Sequence, residues 1–146
     1  MNRALSHVLP ALALLPALTG CPQQACTLLY APDNVVVDVQ SDAFAEGEWV
    51  VSVGDAACTV TLPGTESDMV CTEGVQQLYL TLSADGTAIT EAMLRESAPA
   101  SLDIEILHDG AVVFSDAVSP TYTEEEPNGE GCGVSRFGTA AISLDG

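Results

Sequence analysis

The sequence predicts an all-β domain, an antiparallel two-sheet sandwich of immunoglobulin-like or transthyretin-like type with about seven or eight strands. Three observations carry this expectation. From Val35 onward the apolar residues recur with period two, turn residues interrupt them about every 8 to 12 positions, and Asp-Gly pairs stand between alternating runs. In chain order, strands are expected over residues 35–40, 48–53, 58–62, 77–83, 102–108, 112–118 and 137–144. In the second, Trp49, Val51 and Val53 face one way while Val50 and Ser52 face the other. The third sets Cys58, Val60 and Leu62 against Thr59 and Thr61, and the fourth sets Leu78, Leu80 and Leu82 against Gln77, Tyr79 and Thr81. In the fifth, Leu102, Ile104 and Ile106 alternate with Asp103 and Glu105. One apolar and one polar face per strand describes antiparallel sheets that are wet on one side. His108-Asp109-Gly110-Ala111 is the strongest hairpin signal, because both central residues of a type I′ turn need positive φ. Gly54-Asp55 and Asp85-Gly86 mark further reversals. The stretch 87–96 reads more than one way: Ile89, Met93 and Leu94 form one face of a short helix, or the segment is an irregular crossover or loop.

Charge sets the next limits. The chain has 146 residues, 21 acidic side chains against 3 basic ones, and a net charge of -18. None of the basic residues is lysine, so nucleic acid is excluded as a partner, and so is an anionic membrane bound by the protein surface alone. A hydrophobic content of 47% separates the sequence from acidic disordered tails, which lack the apolar residues to fold. Length allows one ordinary domain, placed at residues 27–146. Arg95 and Arg136 are its only strong cations, so most carboxylates are expected to be solvated, as suits a saline habitat.

Residues 1–20 have the layout of an export signal that is later removed: Arg3 at the positive end, then an Ala- and Leu-rich stretch over 8–18. That stretch is short of the ~20 apolar residues of a spanning helix and is interrupted by Pro10 and Pro16. It ends in Leu18-Thr19-Gly20-Cys21, which resembles the lipobox of bacterial lipoproteins. The resemblance implies cleavage before Cys21, a diacylglyceryl thioether on its sulfur with palmitate-type chains, and residues 21–26 as a short tether. Two or three acyl chains hold a protein firmly at a membrane where one is marginal. Pro22, in place of an aspartate, favours sorting to the outer membrane. The alternative is an ordinary secretory signal with Cys21 in a disulfide.

Lipidation of Cys21 leaves an even set, Cys26, Cys58, Cys71 and Cys132. Three pairings are open to these four. Cys58 with Cys71, stapling the intervening loop, and Cys26 with Cys132, joining the ends of the domain, is the proposed one. Zinc competes poorly, for the chain has no Cys-x-x-Cys and only His108 beyond the signal.

The segments Gly47-Glu48-Trp49-Val50-Val51-Ser52-Val53, Ala57-Cys58-Thr59-Val60-Thr61-Leu62-Pro63, His108-Asp109-Gly110, Pro120-Thr121-Tyr122 and Pro127-Asn128-Gly129-Glu130-Gly131-Cys132 carry a wider resemblance. Together they are similar to small exported lipoproteins of myxobacterial-type bacteria. That resemblance implies export and a β fold, and it brings no catalytic residue with it. Members often have another cysteine soon after the one matching Cys132; here Gly133-Val134-Ser135-Arg136 lacks it.

Chemistry is sparse. Any Ser-His-Asp arrangement has to use His108, which the pattern places beside a hairpin tip as an exposed turn residue, and no Gly-x-Ser-x-Gly elbow presents a serine. No carboxylate pair stands out among the acids. Glu124, Glu125, Glu126, Asn128 and Glu130 form an oxygen-rich loop of the general kind calcium uses, without the spacing of a dedicated site. Trp49 reads as core, and Tyr79 and Tyr122 as surface aromatics available for binding. The expected role is therefore that of a non-enzymatic, lipid-anchored envelope protein, structural or interacting, with no catalytic residue and no cofactor. A calcium-, glycan- or peptide-binding module is the alternative, and an envelope hydrolase is a more distant one.

Overall fold

A computed structural model of the chain describes Cys26 and residues 29–72 and 77–145. The lipobox Leu18, Thr19, Gly20 and Cys21 lies outside the described residues. The described residues contain ten strands: β1 (Asn34–Gln40), β2 (Gly47–Val53), β3 (Ala56–Leu62), β4 (Val70–Cys71), β5 (Gln77–Leu82), β6 (Ile89–Arg95), β7 (Leu102–His108), β8 (Ala111–Val118), β9 (Thr121–Glu125) and β10 (Ser135–Ser143). A 3-10 turn, Glu66–Asp68, precedes β4. The strands form two five-stranded sheets in the orders β5-β6-β1-β10-β9 and β4-β3-β2-β7-β8. β1 lies inside its sheet, unlike the first strand of an immunoglobulin constant-type sandwich, which lies at an edge.

The alternating faces meet in a single core. Val35, Val37 and Val39 of β1, Trp49, Val51 and Val53 of β2, Cys58, Val60 and Leu62 of β3, and Leu102, Ile104 and Ile106 of β7 are all buried. Leu78, Leu80, Ile89, Ala92, Leu94 and Ile142, in the same sheet as β1, and Ala56 of β3 complete it, and among the described residues no polar or charged residue is buried. Each such Val, Leu or Ile contributes about 1.5–3 kcal/mol relative to an exposed position. The His108-to-Ala111 hairpin has positive φ at Asp109 (48°) and Gly110 (79°), as its turn type requires.

Three features depart from the expectation. The segment 87–96 is not helical: it contains β6. A register shift opposite Thr81 and Leu82 interrupts the alternation there, so Ile89 and the later pair Ala92 and Leu94 all face inward although they fall out of phase. Spacing read across such a bulge imitates a helical face. Secondly, β1 and β10 run parallel, Val35 lying opposite Gly138, within sheets that are otherwise antiparallel. Thirdly, β4 and β9 leave little hydrophobic pattern. β4 has two residues, and in β9 only Tyr122 is even partly buried.

Two disulfides close the fold. Cys58 is bonded to Cys71 across β3 and β4, with Cα atoms 4.0 Å apart, and Cys26 to Cys132 over a separation of 106 residues.

Candidate functional site

A groove of about 500 Å³ runs along the outer face of β5 and β6. Tyr79 and Thr81 of β5 and Met93 and Arg95 of β6 form its floor, because in each strand these positions alternate with the buried ones. Glu66 and Met69 form a rim. The Arg95 guanidinium lies 5.8 Å from the centre of the Tyr79 ring, a cation–π distance, and the Tyr79 hydroxyl donates to Gln77 Oε1 at 2.9 Å.

The rim is fixed by local hydrogen bonding. Asp68 accepts from both the backbone N–H (3.0 Å) and the hydroxyl (2.7 Å) of Thr65, and these bonds, the hydroxyl's first, hold its carboxyl below the usual carboxylate range. Gly64 donates its N–H to the Gly86 carbonyl at 2.9 Å, tying the rim loop to the β5–β6 turn. Gly86 has φ of 71°, and a Cβ there would lie 2.0 Å from the Gly64 carbonyl oxygen, so only glycine permits this approach. In the same turn Asp85 accepts from Ser83 and Thr87, which lowers its pKa to about 2. Chemically, the groove offers a tyrosine face, two thioethers, one guanidinium and the Glu66 carboxylate, a combination suited to an apolar group that carries a polar end.

His108 is less exposed than its hairpin position suggested. Its ring stacks on Trp49 with centroids 4.5 Å apart, and Phe44 meets the other ring edge-on at 5.0 Å. Nε2 approaches the Glu46 carbonyl at 3.0 Å and the Asp109 carboxylate at 3.5 Å, while Asp109 also accepts the Glu48 N–H at 2.9 Å. Trp49 itself donates Nε1–H to the Ala45 carbonyl at 3.0 Å. These contacts describe a packing cluster that fixes the 44–48 loop against the hairpin. Gly47 is part of it, since a Cβ there would lie 2.7 Å from an Asp109 oxygen.

Tyr122 is not a surface aromatic. Its hydroxyl donates to the Pro99 carbonyl at 2.7 Å, its ring covers Gly138 directly opposite on β10, and burial, followed by the nearby Asp33 carboxylate, raises its pKa. Tyr79 alone of the two remains open to solvent, at 44% exposure.

The acidic loop is engaged with the chain around it. Glu124 bonds to Arg136 Nε at 3.2 Å, Glu126 accepts the Gly131 N–H at 3.4 Å, and Asn128 makes bonds of 2.7 and 3.1 Å to the main chain of Leu29. With the Cys26–Cys132 disulfide, the Asn128 clasp ties the N-terminal segment to the β9–β10 loop. Glu125 closes β9 and Glu130 lies in the loop. Among the described residues no group of three or more His, Cys, Asp or Glu side chains is gathered to hold a metal ion.

Sequence reading missed the groove because it is assembled by pairing β6, hidden by its bulge, with β5. The available clue was Arg95, one of only two Lys or Arg residues after residue 20, three positions after Ala92 in a stretch that also holds Met93. No protein-family model matches the chain, and neither a curated protein nor a solved structure does, so similarity adds nothing to the fold and the sites described.

Proposed function

We propose that this is an exported protein held at the cell envelope, outer membrane by preference, through lipid on Cys21, where the β-sandwich has a non-enzymatic structural or interaction role. The cysteine balance carries this reading. Four of the five cysteines are bonded to one another, so Cys21 has no cysteine of this chain left to pair with. A thiol directly behind Leu18-Thr19-Gly20 is the position at which a lipoprotein would be acylated, and two disulfides suit an oxidising compartment. Labelling cells that express the chain with an alkyne fatty acid tests it. The wild type should be labelled and Cys21→Ser should not; labelling of Cys21→Ser at the wild-type level refutes the anchor.

A second reading, a binding module for a glycan or peptide, draws on the Arg95–Tyr79 pair in the groove. Exposed aromatic and guanidinium faces side by side are common recognition elements. Calcium would act in that reading through the loop of Glu124, Glu125, Glu126, Asn128 and Glu130, once displaced from some of its present bonds.

A further inference from the structure

The sheets have four edges, and they are not equivalent. β4 is two residues long. β5 is packed against β3 and the 3-10 turn, and β9 ends in Glu124 and Glu125. β8 has eight residues, one charge, and two valines in the open, Val112 at 57% exposure and Val113 at 40%. A long, sparsely charged edge is the template on which another strand can pair.

Hydrogen-bond phase shows which groups it offers. Asp103 gives its carbonyl to Gly54 at 2.8 Å, on the β2 side of β7, so its neighbour Ile104 faces β8 and pairs with Asp116. Alternation then turns the main-chain groups of Ser115 and Ala117 away from β7, toward the free edge. Two guards restrict access. A register shift between Ile106 and Leu107 leaves Val113 as an extra residue, and Asp116 folds its carboxylate onto the Ala117 N–H at 2.8 Å. A second copy of the chain is a poor occupant, because it would bring its own Asp116 and another net charge of -18 to the edge. A cationic strand meets the opposite situation: Asp116 would turn toward it and release the Ala117 N–H. The adjoining cleft of about 570 Å³, lined by Asp103, Glu105 and Asp116 beside Ser52 and Ser115, would take its other cations.

We propose that β8 binds an extended, Lys- or Arg-bearing segment of another protein by strand addition. Main-chain bonds form at Ser115 and Ala117, and the acidic residues select the charge of the guest. The inference does not depend on the lipid at Cys21.

The test uses the full chain in detergent and an end-blocked octapeptide of alternating Lys and Val, with amide hydrogen exchange as the readout. Saturating peptide should slow exchange at Ser115 and Ala117 by about tenfold or more. The same peptide with alternate amides N-methylated should lose this effect, as should a Glu-Val peptide. Ser115→Pro removes a donor that faces away from the β7 ladder, so it should abolish binding while the near-ultraviolet signal of Trp49 is retained. If that variant unfolds, the N-methylated peptide decides the matter alone. Protection centred on β5 or β9, equal binding of the N-methylated or Glu-Val peptide, or no protection at saturating Lys-Val peptide overturns the proposal.

Discussion

Gly138→Ala should be among the most damaging single-methyl changes in this sandwich, because Gly138 is buried under a ring. Gly138 lies opposite Tyr122 in the β9–β10 ladder, and an added Cβ would stand 2.5 Å from Cε1 of that ring, far inside van der Waals contact. Backbone conformation is not the obstacle, since Gly138 has no positive φ. The ring must leave, and its 2.7 Å hydrogen bond to the Pro99 carbonyl goes with it. Loss of that bond costs about 1 kcal/mol and displacement of a packed side chain about 1–3 kcal/mol, so the total is roughly 2–4 kcal/mol. For a domain of this size that corresponds to a fall in Tm of about 8–14 °C. Urea denaturation of the wild type, Gly138→Ala, Tyr122→Ala and the double variant forms a cycle that isolates the clash. In the Tyr122→Ala background the added methyl should cost less than about 0.5 kcal/mol. An equal cost of Gly138→Ala in both backgrounds would show that the ring is not what excludes a side chain, and the reasoning would fail.

Asp85 supplies a pH prediction whose sign is fixed. Its folded pKa, about 2, lies below the ordinary aspartate value of 3.8, so its contribution to stability is present above 3.8 and is lost as pH falls through the interval between the two. Asp85→Asn should lessen the pH dependence of the urea midpoint within that interval and leave it alone near neutrality, and an unchanged acid limb would count against the Ser83 and Thr87 bonds as its cause. Removing the disulfides should reveal their different loops. Replacement of Cys58 and Cys71 by Ser is expected to cost about 3 kcal/mol and replacement of Cys26 and Cys132 about 4–5 kcal/mol, in a model governed by chain entropy. A reversed order in chemical denaturation would mean that strain or residual structure in the unfolded chain outweighs loop length.

The sheet faces were legible because each buried strand repeats its apolar residues at the period of the backbone itself. Trp49, Val51 and Val53 or Leu102, Ile104 and Ile106 have no second reading once turns bound them. Legibility fails where that period is broken or unneeded. The shift opposite Thr81 and Leu82 put Ile89 out of step with Leu94, and β9 pairs through its backbone while leaving four of its five side chains in water. His108 and Tyr122 were misjudged for a related reason. Each is polar at one end and lies near a turn, yet each ring is covered by a residue distant in sequence, Trp49 in one case and a glycine of β10 in the other. The groove depends on the same long-range pairing. Arg95 and Tyr79 meet only because β5 and β6 form a hairpin whose register the sequence pattern does not declare.

The parallel pairing of β1 with β10 imposes an order of events on the chain. β1 lies inside its sheet, between β6 and β10, and Val35 must wait for Gly138, about a hundred residues later, before its second edge is satisfied. As the chain emerges from the ribosome, β2 and β3 can form a hairpin at once, but β1 stays half-paired and the core stays open on one side until nearly all of the domain has been made. Loop-closure entropy delays the step further, and the Cys26–Cys132 bond can form only after it has brought the two ends together. A chain with this connectivity resists folding while incomplete, and closing the Cys26–Cys132 bond then ties the first and last strands of the domain into one cooperative unit.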